Sequence, residues 1–203
     1  MGLSADAIID AGVAVVADHG WSALSTRGVA SRLGVTPMAL SRHVANSDVL
    51  AGLVLDRIVT DSARVQPCDG IDVALTSWAR STRAHLAKHP GVAGRLITHW
   101  FECGPMLDRI DELLEACDQH GIVGFPAVAL VNAVFMHVLM RVEAEGRVLA
   151  AGVVRRQLNL ASAERPLRHL RALLAHYTTA QLDAHFEYGL SALLADAKAT
   201  VRA

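Results

Sequence analysis

Apolar residues recur every three or four positions through most of the chain, and short stretches of glycine, proline, serine and asparagine separate these runs. That period predicts amphipathic helices. Ser4 stands ahead of the first run, where Ile8, Ile9, Val13, Val16 and Ala17 mark one face of a helix over 5–18, closed by His19-Gly20. Ser25 or Thr26 caps a second helix over 27–33, which Gly34 terminates. Pro37 fits the first turn of a third helix, because a proline there gives up no intrahelical hydrogen bond. Asn46-Ser47 precedes a fourth helix over 48–64 with Leu50, Leu53, Val54, Ile58 and Val59 as its buried stripe.

The turn-forming run Gln66-Pro67-Cys68-Asp69-Gly70 is the clearest break, and it predicts a domain boundary. Residues 1–46 form the first domain, the fourth helix connects, and 65–203 form the second. Beyond the break, helices are expected over 71–88, 92–99, 105–119, 126–151, 167–177 and 180–199, with 152–164 ambiguous. No strand alternation of useful length and no internal repeat is present, so the expected fold is all-α. The run 122–140 is long and apolar enough to be weighed as a bilayer span. Pro126, Asn132 and His137 within it favour a buried helix, and an all-round apolar helix needs cover on more than one side.

Composition fits this picture. Of 203 residues, 52% are hydrophobic but only 4% aromatic, so the core is built of Ala, Val and Leu on packed helices. The formal net charge of −1 excludes a bulk polycation, and any nucleic-acid contact must come from a local patch. Three scattered cysteines, Cys68, Cys103 and Cys117, imply no disulfide framework and suit a reducing cytoplasm. The N-terminus places acids where a secretory signal needs bases.

The second and third helices, joined by Gly34-Val35-Thr36, make a helix-turn-helix, whose second helix enters the major groove. Val29, Ala30 and Leu33 are expected to face inward, with Val35, Leu40 and Val44 pinning the third helix. Thr36, Pro37, Met38, Ser41 and Arg42 are left toward the groove. Over residues 1–50, three bases (Arg27, Arg32, Arg42) meet four acids (Asp6, Asp10, Asp18, Asp48), a formal charge of −1. The electrostatic contribution to DNA binding is therefore expected to be small.

The string Asp18-His19-Gly20-Trp21, the A-x-x-L-G-V turn of residues 30–35 and the L-x-x-H-V of residues 40–44 together resemble the N-terminal domain of the tetracycline-repressor (TetR) family. The W-A-x-x-x-R-x-x-L-x-x-H-P run from Trp78 to Pro90 and Phe186-Glu187-Tyr188-Gly189-Leu190 are similar in outline to that family's second half. The resemblance implies a cytoplasmic homodimer with a DNA-reading head and a ligand-binding and dimerisation body, in which a small molecule releases operator DNA. It implies phosphate contacts from Ser25, Thr26, Arg27, Asn46 and Ser47. It also places Thr36, Met38, Ala39, Ser41, Arg42 and His43 in or beside the groove. Where the family usually has tyrosine and lysine this chain has Ser41 and Ser47, and no base precedes Ser4. A head that no longer reads DNA, with a body serving another binding or catalytic role, stays open as the alternative.

A ligand pocket should be mostly apolar with a few placed polar groups. Trp78, His99, Trp100, Cys103, Met106, Asn132, Phe135, Met136, His137 and Met140 are the candidates, because they gather the second half's large and polar side chains onto apolar helix faces. His85 with His89, and His99 with Cys103, have the four-residue spacing of metal ligands, yet no further close-set ligand completes either pair. No metal or other cofactor is expected. Glu102, Asp108 and Glu143 supply carboxylates, but no phosphate loop, nucleophile elbow or HExxH motif accompanies them, so an enzyme is not expected. Helices 126–151 and 180–199, the latter with Leu182, Phe186, Leu190, Leu193 and Leu194 in one stripe, are expected to form a homodimeric four-helix interface.

Overall fold

A computed structural model describes residues 3–66, 68–150, 167–169 and 179–201. Among them, all regular structure is helical: α1 (Ala5–His19), α2 (Thr26–Leu33), α3 (Pro37–Ser41), α4 (Ser47–Thr60), α5 (Ile71–Leu86), α6 (Val92–His99), α7 (Gly104–Gln119), α8 (Phe125–Ala150) and α9 (Thr179–Val201). Short 3-10 turns span Trp21–Ala23 and Trp100–Glu102. The ambiguous 152–164 segment lies outside the described residues, as does the helix expected over 167–177 beyond its first three residues.

Local chemistry sets the head. Ser4 Oγ accepts the Ala7 amide, Ser25 Oγ that of Gly28, Thr36 Oγ1 that of Ala39 and Asn46 Oδ1 that of Val49. Each bond satisfies an amide that the first helical turn leaves without a partner. Ser25, not Thr26, is the cap of α2. Gly34 ends α2 at φ +67°, a left-handed conformation that glycine adopts without steric cost, and Val35 N–H returns to Ala30 O at 3.0 Å. The short α3 then leaves at an angle, held by the fully buried Leu40 and Val44.

α1 packs across α4 at Gly12, where a Cβ would collide with Val54. This close approach corrects the expected α1 face. Ala11, Gly12 and Val15 are buried alongside Ile8, Ile9 and Val16, whereas Val13 is only half-buried and Ala17 is exposed. α4 ends at Thr60, short of the expected residue 64. Its C-terminal carbonyls are taken up by the body: His85 Nε2–H donates to Ile58 O at 2.8 Å and Arg109 to Thr60 O at 3.3 Å. Leu55 replaces Leu53 in its buried stripe.

In the body, α8 is the central element. Val131, Val134, Phe135, Val138 and Leu139 are buried against neighbouring helices. Phe125, Val128, Asn132, Met136 and Met140 follow a strip at helical spacing on its outer side, where all but the half-buried Met136 are exposed. α9 crosses α8 at Gly189, where a Cβ would collide with the His137 ring. Leu182, Phe186, Leu190 and Leu194 face inward from α9, Leu193 is half-buried, and Tyr188 points outward. α8 meets the length and apolarity of a membrane span, but its inner side is committed to this core.

Candidate nucleic-acid interface and ligand-binding core

The helix-turn-helix presents one face without cover. Arg27, Thr36, Pro37, Met38, Ser41, Arg42, His43, Asn46 and Ser47 are exposed, Ala39 is half-buried beside them, and Ser25 and Thr26 are half-buried at the start of α2. Met38, at 75% exposure, contributes nothing to the core and is free to meet a base edge or thymine methyl. Ser25 Oγ accepts from Gly28, which leaves its hydroxyl proton to donate outward. Ser41 behaves differently. Its hydroxyl donates to Met38 O at 2.9 Å and must leave that bond to donate to a phosphate.

Charge pairing leaves the count as it was, because Arg57 comes with Asp56, but it decides where the head's free charge lies. Arg32 is bound to Asp18 at 2.7 Å, and Arg57 of α4, outside the first fifty residues, binds both Asp6 and Asp10. Three of the four acids of the head are thereby tied to arginines. Among the described residues no carboxylate pairs with Arg27 or Arg42. The arginines without a carboxylate partner therefore lie on the α2–α3 face, Asp6, Asp10 and Asp18 are engaged elsewhere, and Asp48 stays exposed in the first turn of α4. The sequence count missed this because the Arg57 pairs span 47 and 51 residues.

In the body the expected pocket residues separate into three groups. Trp78, Cys103, Met106 and Phe135 are buried. Trp100 is half-buried and meets Phe135 edge-on at 6.3 Å, and His99 is half-buried with Nδ1 2.6 Å from Thr98 Oγ1. Asn132 and Met140 correct the expectation: both lie exposed on the outer side of α8, away from the protomer's interior. Met136 shares that side and is half-buried. His137 is also spoken for, since its Nε2–H donates to Phe186 O at 3.0 Å and its ring stacks on Phe186 at 5.2 Å.

Two polar atoms mark the inner wall of α5. Trp78 Nε1 and Thr82 Oγ1, one helical turn apart, are buried with no hydrogen-bond partner among the described residues. A buried polar group without a partner costs stability, which gives a polar ligand something to satisfy. Thr82 escaped the sequence reading; its four-residue spacing from Trp78 was the available signal. Beside them Arg83 binds Glu145 at 3.0 Å and Asp183 at 2.7 Å and lies 4.6 Å over the Phe186 ring. Glu145 also accepts from Arg141 at 3.3 Å.

Neither metal pair assembles into a site. His85 is engaged with Ile58 O, and His89 Nδ1 lies 3.2 Å from His85 O. Burial holds the His89 pKa below its ordinary value of 6.5. Burial, with the Asp56 carboxylate nearby, pushes the Cys103 thiol up to about 12, which makes it a poor nucleophile or ligand. No group of three metal-ligating side chains occurs among the described residues.

Comparison with known proteins bears on both regions. Residues 8–47 match bacterial regulatory proteins of the tetR family, and residues 66–201 match the tetracyclin repressor-like C-terminal domain. A curated relative is the HTH-type transcriptional repressor DrrR1 of Streptomyces coeruleorubidus, 36% identical over 92 residues. That match covers 43% of this chain and 33% of the repressor, so the chain spans about a third of that relative's length. The Streptomyces coelicolor protein ActR in complex with actinorhodin superposes with a TM-score of 0.76 at 23% identity, covering 96% of this chain and 94% of ActR. Mycobacterium smegmatis BioQ superposes with a TM-score of 0.66 at 23% identity, covering 96% of this chain and 97% of BioQ. BioQ with its double-stranded DNA operator superposes with a TM-score of 0.62 at 22% identity, covering 86% of this chain and 96% of BioQ.

Proposed function

The chain belongs to the TetR family of bacterial regulatory proteins, and we propose that it is a ligand-responsive repressor that binds a palindromic operator as a homodimer and is released by a small lipophilic molecule. One observation carries this reading. The α2–α3 face is exposed and cationic at Arg27 and Arg42, and the acids Asp6, Asp10 and Asp18 are drawn into ion pairs. Residues 1–46 act as the reading head, α4 as the connector, and 65–203 as the ligand and dimer body.

Arg42 reads a base edge; a bidentate arginine–guanine contact discriminates by roughly 1–3 kcal/mol. Arg27, Ser25, Thr26, Asn46 and Ser47 hold phosphates. Thr36, Pro37, Met38 and His43 line the groove. The outer strip of α8, including Asn132 and Met140, meets its symmetry mate together with the outer side of α9. The effector lies against α5 and the apolar side chains Trp78, Met106 and Phe135, and satisfies Trp78 Nε1 and Thr82 Oγ1. That ActR is solved with actinorhodin and BioQ with operator DNA supports both halves of this reading. The expected site of action is the cytoplasm.

A ligand shifts the head only through its differential affinity for two arrangements. α4 is the first route, since His85 and Arg109 grip its last carbonyls from α5 and α7. A gel-shift assay with DNA flanking the chain's own gene tests the function. Saturable, sequence-specific binding that Arg42→Ala removes is expected. Absence of binding to every flanking fragment at low salt would refute it.

A further inference from the structure

The head touches the body at a second place, independent of α4. The turn after α1, Gly20-Trp21, meets the turn before α6, Pro90-Gly91. Trp21 N–H donates to Pro90 O at 2.7 Å. Both glycines lie at positive φ, +80° for Gly20 and +86° for Gly91. A Cβ on Gly91 would sit 3.0 Å from Trp21 Cβ, and one on Gly20 would sit 3.4 Å from Pro90 O. The positive φ favours glycine on each side, and at Gly91 the closeness of Trp21 adds to that requirement.

This is a point contact. Next to it the two regions part to leave a cleft of about 450 Å³, with His19 and Trp21 on the head side and Leu86, Val142, Glu143 and Arg147 on the body side. The body side of the contact is itself tied down. Glu143 of α8 accepts the Gly94 amide at 3.1 Å, filling one of the unpartnered amides in the first turn of α6. Arg147 in turn holds Glu143 at 2.8 Å. A continuous set of bonds thus runs from α8 through the first turn of α6 to the backbone of Trp21.

We infer that the Trp21–Pro90 contact is a latch that fixes the angle of the head about α4, with Gly20 and Gly91 as its positioning residues. Through Glu143, a movement of α8 reaches the head without passing along α4. The consequence for DNA reading rests on the proposed homodimeric repressor. There the latch sets the distance between the two reading helices and hence the operator spacing the dimer accepts.

The test places nitroxide labels at Ser31→Cys on α2 and Asp111→Cys on α7, in the full chain carrying Cys68→Ser. Both positions are exposed, and Cys103 and Cys117 are buried. Labelled chains are diluted into unlabelled wild type, so the distance needs neither DNA nor dimerisation. The parent is expected to give one narrow distance distribution. Gly91→Ala, and independently Gly20→Ala, should displace or broaden it. Gly121→Ala is the control, because Gly121 has φ +76° with nothing within 4 Å of an added Cβ; it should leave the distribution unchanged. On DNA, the two latch variants should lose several-fold selectivity between half-site spacings and keep their affinity for a single half-site. A parental distribution in both folded latch variants would overturn the latch. Failure of the parent to bind any DNA would instead overturn the repressor, and the distance measurement would still decide the latch.

Discussion

The head and the body are held together over different lengths of chain. In the head, Ser25, Thr36 and Asn46 each close a helix start by bonding an amide three residues on. In the body, Arg83 reaches Glu145 across 62 residues, and Arg80 reaches Glu187 across 107. A reading head whose helix starts are closed locally, and whose α1 is tied to α4 by the longer Arg57 pairs, keeps its shape while it is moved as a unit. A body built from distant contacts changes when any one of its helices shifts, as a ligand sensor requires.

The largest effect that tests this contrast is Glu145→Ala. It leaves Arg141 without its carboxylate and Arg83 with only the exposed Asp183. Stranding a buried charge costs about 3–5 kcal/mol, and the surviving Asp183 pair sets the expected loss at the lower end of that range. Denaturant unfolding should show that loss, and a loss under about 1 kcal/mol would place the network at the level of an exposed ion pair. Next comes Gly189→Ala, which forces the His137 ring away from α9. Overpacking of this kind costs about 1–3 kcal/mol, read as a lower unfolding midpoint.

Asn46→Ala is the counterpart in the head. Losing one cap should cost about 1 kcal/mol, and, because the contact is local, hydrogen exchange should quicken at the start of α4 and stay unchanged in α8 and α9. The smallest effect comes from pH. Burial lowers the folded-state pKa of His89, so the unfolded chain binds its proton more readily. Stability should therefore fall as the pH drops through about 6.5, the ordinary histidine value. His89→Gln should flatten that slope in a thermal-unfolding series.

The same contrast explains what could be read from the sequence. The helix-turn-helix was legible because its caps, its Gly34 turn and its Pro37 start are neighbours in the chain. The described helices of the body were legible for the same reason, each to within a few residues at either end. Which faces they bury was not. Asn132 and Met140 have the same apolar surroundings in sequence as Phe135, and only the crossing of α8 by its neighbours turns them outward. His137 looked like a polar group awaiting a ligand until Gly189 and Phe186 were brought against it. The partners of the head's acids were hidden in the same way, because Arg57, which pairs with Asp6 and Asp10, comes from the far side of the motif.

The central claim is that the exposed arginines of the α2–α3 face engage DNA. The salt dependence of operator affinity tests it most directly, comparing the wild type with Arg27→Ala. Each phosphate contact contributes about 0.9 to the log–log slope, so losing Arg27 from both subunits of a dimer should make the slope shallower by roughly 2, with base preference retained. An unchanged slope in a folded Arg27→Ala dimer would contradict the account.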